Sequence, residues 1–342
     1  MKIILLGGEK VKKGKSINGL MRHIRTNHDV GIEGSKDKNT LVNMGYYHGY
    51  KRFRYIKQTS NKQMYSDFSQ IKAIKDFDFE IKRIFYPMIT LVETDMKNRT
   101  IEALVTNQDP DIESIYQTKL TAHLDYAKDS HDKAESNNFK KTLKDRLEFR
   151  SIMDATIGHN YGKNDALSHF VHHSKSIPLW VFFEIITFGQ LGHFTKLLSM
   201  NWRLKVSEAN GLGSTSFNQN GRMIHHIIFT LTDLRNATMH NSAVFDANFN
   251  KDGVAKALKK YLIHETKIQA ITFDTIIDYL ILLVFILKKH GYSKTELKAY
   301  VRQFSHAKEK LNESIPKSSY GLLLGMDSNK KIEELYKFIA TN

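Results

Sequence analysis

Apolar residues recur at helical spacing along most of the 342-residue chain. Between Phe68 and Ala103 they fall at Ile71, Ile74, Phe77, Ile81, Ile84, Phe85, Met88, Ile89, Val92 and Met96. These steps of three and four place one apolar stripe on a long amphipathic helix, with Pro87 as a point where it could kink. Upstream, Ile17–Asn27 reads as a short helix, followed by a Gly-containing turn and a second helix that enters GYYHGYKRFRYI at Gly45–Ile56. Residues 105–145 are polar and broken at Pro110, and their AKDSHDKAESNNFKK stretch reads as an exposed loop or a mobile insertion. A helix is expected around Arg146–Gly158. The segment Ser176–Leu198, SIPLWVFFEIITFGQLGHFTKLL, is apolar almost all round with Pro178 near its start, so it is expected at the centre of the core, Trp180 included. Asn201–Gly221 holds Gly211, Gly213 and Gly221 in a Ser/Thr/Asn cluster and reads as a loop. From Met223 to His240, Ile224, Ile227, Ile228, Leu231 and Leu234 share one helical face, and four more helical stretches follow Asp252.

Period-two runs are few, prolines number 4 and no tandem repeat appears, so the expected class is all-α, a helical bundle. The longest apolar stretch, Ala270–Leu287, approaches membrane-spanning length but carries Asp274 and Asp278 one turn apart. A core helix is therefore expected, with Lys288 and Lys289 suiting its C-terminal dipole, and no membrane is expected as a partner. The expected organisation is a basic N-terminal region over residues 1–65, a helical domain over 66–290 with a polar insertion at 105–145, and C-terminal helices over 291–342.

A hydrophobic content of 41% and a charged content of 25% suffice for a large core. The absence of cysteine excludes disulfides, thiolate metal sites and a Cys nucleophile, and is compatible with a reducing cytoplasm. The opening MKIILLGGEKVKKGK has too short an apolar run for a secretory signal, so a cytoplasmic location is expected. Charge adds more. Of the net +15, residues 1–60 supply 13 Lys/Arg against 4 Asp/Glu, a surplus that predicts either a polyanion partner or merely a soluble basic surface.

Two constellations carry candidate chemistry. GYYHGYKRFRYI interleaves Tyr46, Tyr47, His48, Tyr50, Phe53 and Tyr55 with Lys51, Arg52 and Arg54. Aromatics stack on unpaired bases while cations hold the backbone, so Tyr46, Tyr47, Lys51, Arg52 and Arg54, with Arg22 and Arg25 upstream, are candidate RNA-binding residues. The same aromatics could equally pack a core. The second constellation is LRNATMHN, in which Arg235, Asn236 and His240 form RNxxxH at the end of an apolar-faced helix. His169, His172 and His173 could gather on one helical face, but no acidic residue lies at matching spacing and no metal is expected. GLGSTS lacks the strand that a phosphate-binding loop requires, so no cofactor is expected.

These segments together resemble the Abi-like (AbiD/AbiF-type) family of bacterial phage-defence proteins. SIPLWVFFEIITFGQL is similar to the family's Pro-Leu/Ile-Trp and Thr-Phe-Gly signature, and LRNATMHN to its Leu-Arg-Asn-x-x-x-His segment. GYYHGYKRF, and DFDFEIKR through VETDMKNR, resemble its N-terminal segments in the same order. The resemblance implies a HEPN-type helical domain, abortive infection by toxic RNA cleavage, and, for the AbiF branch, a small non-coding RNA that restrains the toxin.

In such a site RNA supplies its own nucleophile, the 2′-OH, so the protein must move protons and stabilise charge. His240 would be the general acid or base, because imidazole titrates near neutrality. Arg235 would hold the scissile phosphate through its fork of donors, and Asn236 would orient His240 or a phosphate oxygen, or simply bond the helix end. Five residues span about 140° of an α-helix, so Arg235 and His240 do not share a face of a straight one. A bend, or a second copy facing across a twofold axis, would bring them together, and a homodimer is the expectation.

Overall fold

The computed structural model describes residues 14–56, 65–128, 132–213, 215–249 and 253–341, and the basic leader before Gly14 lies outside the described residues. Among the described residues the regular structure is helical. The N-terminal region comprises α1 (Ile17–His28), α2 (Gly34–Met44), a π-helical turn at Tyr46–Lys51 and α3 (Arg52–Arg54). Next come α4 (Phe68–Val105), α5 (Ile112–Thr118), α6 (Lys133–Asn160), α7 (Asp165–His172), α8 (Leu179–Ile185), α9 (Phe188–Leu197), α10 (Met200–Ala209) and α11 (Met223–Met239). The chain closes with α12 (Lys256–Thr266), α13 (Ile276–Lys289), α14 (Lys294–Ser314), α15 (Lys317–Leu324) and α16 (Ser328–Ala340). The fold is all-α, as the spacing of apolar residues predicts, and among the described residues extended pairing is confined to isolated bridges at Gly31–Asp67 and Asp111–Pro178.

Helix α4 is the axis of the molecule and runs unbroken through Pro87. Its predicted stripe from Ile71 to Met96 is buried, and α10, α11, α13 and α14 pack around it. From the same helix, Arg99 reaches the last carbonyls of two neighbours, donating to Ala209 O at 2.9 Å and His290 O at 2.8 Å. These oxygens lack intrahelical partners, so the guanidinium satisfies helix ends that would otherwise be bare.

Helix α13 is buried from Ile276 to Leu287, which explains why it is apolar on every side. Its one carboxylate, Asp278, accepts from the backbone N–H groups of Thr272 and Phe273 and from Lys331 Nζ at 2.8 Å on α16. A charge in the core is tolerated there because both carboxylate oxygens have donors and the Lys331 ammonium supplies the opposite charge. No helix among the described residues is long and apolar enough to cross a membrane. One continuous core links the three expected stretches, with members from Met21 to Ile339.

Several sequence expectations need correction. The polar 105–145 stretch is not a loop at its end, because α6 begins at Lys133, capped by Asp132 accepting from Ala134 N–H. This helix buries only Phe149, Met153 and Thr156, so apolar spacing could not reveal its first half. The apolar run 176–198 is two helices. Thr187 caps α9 with a reciprocal box, its Oγ1 accepting from Gln190 N–H at 3.2 Å while Gln190 Oε1 accepts from Thr187 N–H at 2.7 Å. Trp180 is 45% exposed rather than buried, since the short α8 turns Leu179, Phe182 and Phe183 inward and Trp180 outward. Helix α10 occupies the first half of the expected 201–221 loop, and five helices rather than four follow Asp252.

Candidate functional site

The N-terminal region builds one wall of the site. Gly45 has φ 79°, a conformation that favours glycine, and it turns the chain from α2 into the π-helical turn. Gly49 follows within that turn, where an added Cβ would stand 2.2 Å from Met44 O, so only glycine lets the turn close on the end of α2. The turn buries Tyr46 and Tyr50 and leaves Tyr47 and His48 outside, with Tyr47 69% exposed. The Lys51 ammonium lies 5.0 Å from the Tyr47 ring centre, a cation–π contact that orients the ring.

The opposite wall is the end of α11. His240 caps the helix, donating its N–H to Asn236 O at 3.0 Å, and Asn241 follows with φ 55°. Ser242 N–H then reaches back to Ala237 O at 2.9 Å, a Schellman closure with asparagine in the left-handed position. Asp78 on α4 fixes the chain beyond it, accepting from the N–H groups of Val244 at 2.6 Å and Phe245 at 2.9 Å. Lys82 neutralises Asp78 at 2.6 Å and donates to Asn241 Oδ1 at 3.0 Å. Arg52 ties the two walls together, pairing with Asp246 at 2.7 Å and lying over the Phe245 ring.

Between the walls is a cavity of about 810 Å³ floored by α4. Tyr47, His48 and Arg52 line it from the N-terminal region, Lys75, Phe79 and Lys82 from α4, and His240 from α11. Its size suits a polar ligand of a few ring systems, since binding pockets run roughly 300–1,000 Å³. The arrangement offers two imidazoles, three cationic side chains and two exposed aromatic rings on one concave surface.

Arg235 is not part of that lining. On α11 it points to α4, where its Nε stands 3.6 Å from Glu93 Oε2. Glu93 also pairs with Lys97 at 3.3 Å, and Lys97 donates to Ile186 O at 2.8 Å, just before the Thr187 cap. Asn236 is exposed beside Arg235, with its Oδ1 3.5 Å from Arg235 Nη1. Within one chain, then, the angular separation expected from the five-residue spacing holds.

The Abi-like protein family matches residues 39–246, which run from α2 through the loop that Arg52 and Asp78 hold. The chain belongs to this family. Its members place it among abortive-infection proteins of phage defence. No curated protein and no solved structure matches the chain.

The family match covers both walls of the cavity and α4 beneath them. Of the residues singled out in the sequence, Tyr47, Arg52 and His240 meet there. Arg22, Arg25 and Lys51 are exposed elsewhere on the N-terminal region, Arg25 donating to Ile32 O at 2.6 Å. Two are corrected. Arg54 is only 2% exposed, with Nη2 3.4 Å from His28 O, and Tyr46 is 8% exposed with its hydroxyl pKa raised by burial. Both are buried in the packing of this region. Sequence reasoning missed Lys75, Phe79 and Lys82, whose spacing puts them on the polar face of α4. It also passed over His48 as a contact residue and Glu93 as the partner of Arg235. Elsewhere, His169 packs its ring against His173, while His172 Nε2 lies 2.6 Å from the Tyr161 hydroxyl.

Proposed function

We propose that this Abi-like protein binds RNA and is a metal-independent endoribonuclease toxin of the HEPN kind, bound and restrained by a small non-coding RNA, with His240 as a proton-transfer group. The observation that carries this reading is the company His240 keeps. It opens into a cavity with Lys75 for phosphate, beside the ion-paired Arg52 and Lys82, and with Tyr47 and Phe79 for bases. Those groups are what a single strand of RNA requires, and imidazole is what its cleavage requires. Arg235 faces Glu93 in the single chain, so its part in holding the scissile phosphate requires the homodimer, in which a second copy presents its motif across a twofold axis.

A second reading has its own support. The Arg235–Glu93 and Arg52–Asp246 ion pairs suit a non-catalytic RNA-binding scaffold in which these arginines hold the fold. His240→Ala separates the two. The ribonuclease reading expects toxicity in cells to vanish while the copurifying RNA stays unchanged in identity and amount. Toxicity that instead follows RNA affinity across variants supports the scaffold. For the grip itself, Lys75→Ala is expected to flatten the salt dependence of RNA affinity by about 0.7 slope units, the value of one single-strand phosphate contact, and His240→Ala to leave it unchanged.

A further inference from the structure

We infer that His48 is a second proton-transfer residue of the cavity, so that each chain carries both the acid and the base for cleaving single-stranded RNA. This rests on the reading of His240 given above. Cleavage by the 2′-OH needs two proton transfers. One group takes the proton of the 2′-OH as the 2′-oxygen bonds to phosphorus, and another gives a proton to the 5′-oxygen as its bond to phosphorus breaks. The products are a 2′,3′-cyclic phosphate and a 5′-hydroxyl, with no water and no redox partner consumed. A single imidazole can perform only one of these transfers in a concerted step. The fold brings a second one to the same concave surface from the far end of the sequence, His48 from the π-helical turn and His240 from the cap of α11.

Neither imidazole has a structural task. Both are exposed, and neither side chain makes a hydrogen bond or ion pair to another described residue. The charged groups around them are assigned otherwise. Arg52 is held by Asp246, and Lys82 by Asp78 and Asn241. Lys75 has no ion-pair partner among the described residues and is the cation left to meet a phosphate. The π-helical turn presents its outer residues: with Tyr46 and Tyr50 buried and Gly49 pressed on Met44, positions 47 and 48 project. Such turns recur at functional sites. Tyr47 and Phe79, 69% and 61% exposed, line the same cavity as the imidazoles and offer stacking surfaces, which selects unpaired bases over a duplex.

The test is single-turnover cleavage of a mixed-sequence single-stranded RNA by the full chain, stripped of bound RNA in high salt, as wild type, His48→Gln and His240→Gln. Glutamine keeps size and hydrogen bonding but cannot exchange a proton, and because both sites are exposed the melting curves should not move. A second substrate carries sulfur in place of one 5′-bridging oxygen, a leaving group that departs without a proton. Each variant is expected to lose at least about 100-fold in rate on the ordinary RNA, with affinity unchanged. The sulfur linkage should restore one variant, the one that lacks the acid, and not the other. Wild-type cleavage by His48→Gln beside an inactive His240→Gln overturns this inference and leaves the reading of His240 standing. A loss in His48→Gln that matches its loss of affinity, or rescue of both variants or of neither, also overturns it. Full activity in His240→Gln, or none in the wild type, overturns the ribonuclease reading itself.

Discussion

At Asp78 a carboxylate only 2% exposed holds two backbone N–H groups of the segment that follows His240. Removing it leaves both backbone donors without an acceptor in a buried place, and the Lys82 ammonium without its counter-charge and with Asn241 Oδ1 as its remaining partner. Asp78→Ala should therefore cost roughly 3–5 kcal/mol in urea unfolding, the scale of breaking a buried pair. A cost below about 1 kcal/mol would show that the segment is held by other contacts. The sequence offers little warning of this role: periodicity puts Asp78 beside the stripe of α4, but not that its partners come from beyond α11. Trp180 shows the opposite failure, an apolar residue in an apolar run that nevertheless faces outward. Phe182→Ala should lose about 3–5 kcal/mol as a core truncation, and Trp180→Ala less than about 2. Equal losses would mean that the 45% exposure of Trp180 is covered in solution, as a dimer contact would cover it.

Among elements, the helices with a single buried face were legible. Spacing alone placed α1, α4 and α11 to within a few residues, because each buries one stripe, and it found the body of α13, which is buried on every side but begins at Ile276 rather than Ala270. Hydropathy could not divide α8 from α9, since both are apolar and the break between them is a matter of backbone hydrogen bonds. The signal was present as Thr187 followed by Gln190, the spacing of a capping box. Polar α6 was hidden because its first turns bury nothing. The cap yields a prediction at this scale. Thr187→Ala removes the acceptor for Gln190 N–H and should destabilise the protein by about 1 kcal/mol, whereas Thr187→Ser, which keeps the oxygen, should cost much less. If both cost the same, the methyl group rather than the cap is what Thr187 contributes.

For the whole molecule, the charge surplus of the N-terminal region overstated its free cations, since Arg54 is buried and Arg52 neutralised. The cavity itself could not be read from sequence, because nothing local says that residues 48 and 240 meet. Long-range packing also sets how the molecule responds to acid. His193 on α9, His225 and His226 on α11, and His290 after α13 all have depressed pKa values, chiefly because burial penalises the imidazolium. For His290 the value falls to about 4, with Arg99 adding to the effect of burial and Asp95, 3.2 Å from its Nδ1, opposing it. A histidine with a depressed folded pKa stays neutral in the native state while the unfolded chain takes up its proton below about 6.5. Its contribution to stability is thus complete above that pH and is lost as pH falls toward the folded value. Urea midpoints are expected to decline steadily from pH 7 to pH 4.5. His290→Gln should make that decline shallower, because the variant has no proton to take up on unfolding at this site. Parallel declines in the variant and the wild type would mean that His290 titrates alike in both states, and that the acid sensitivity resides in the other buried imidazoles.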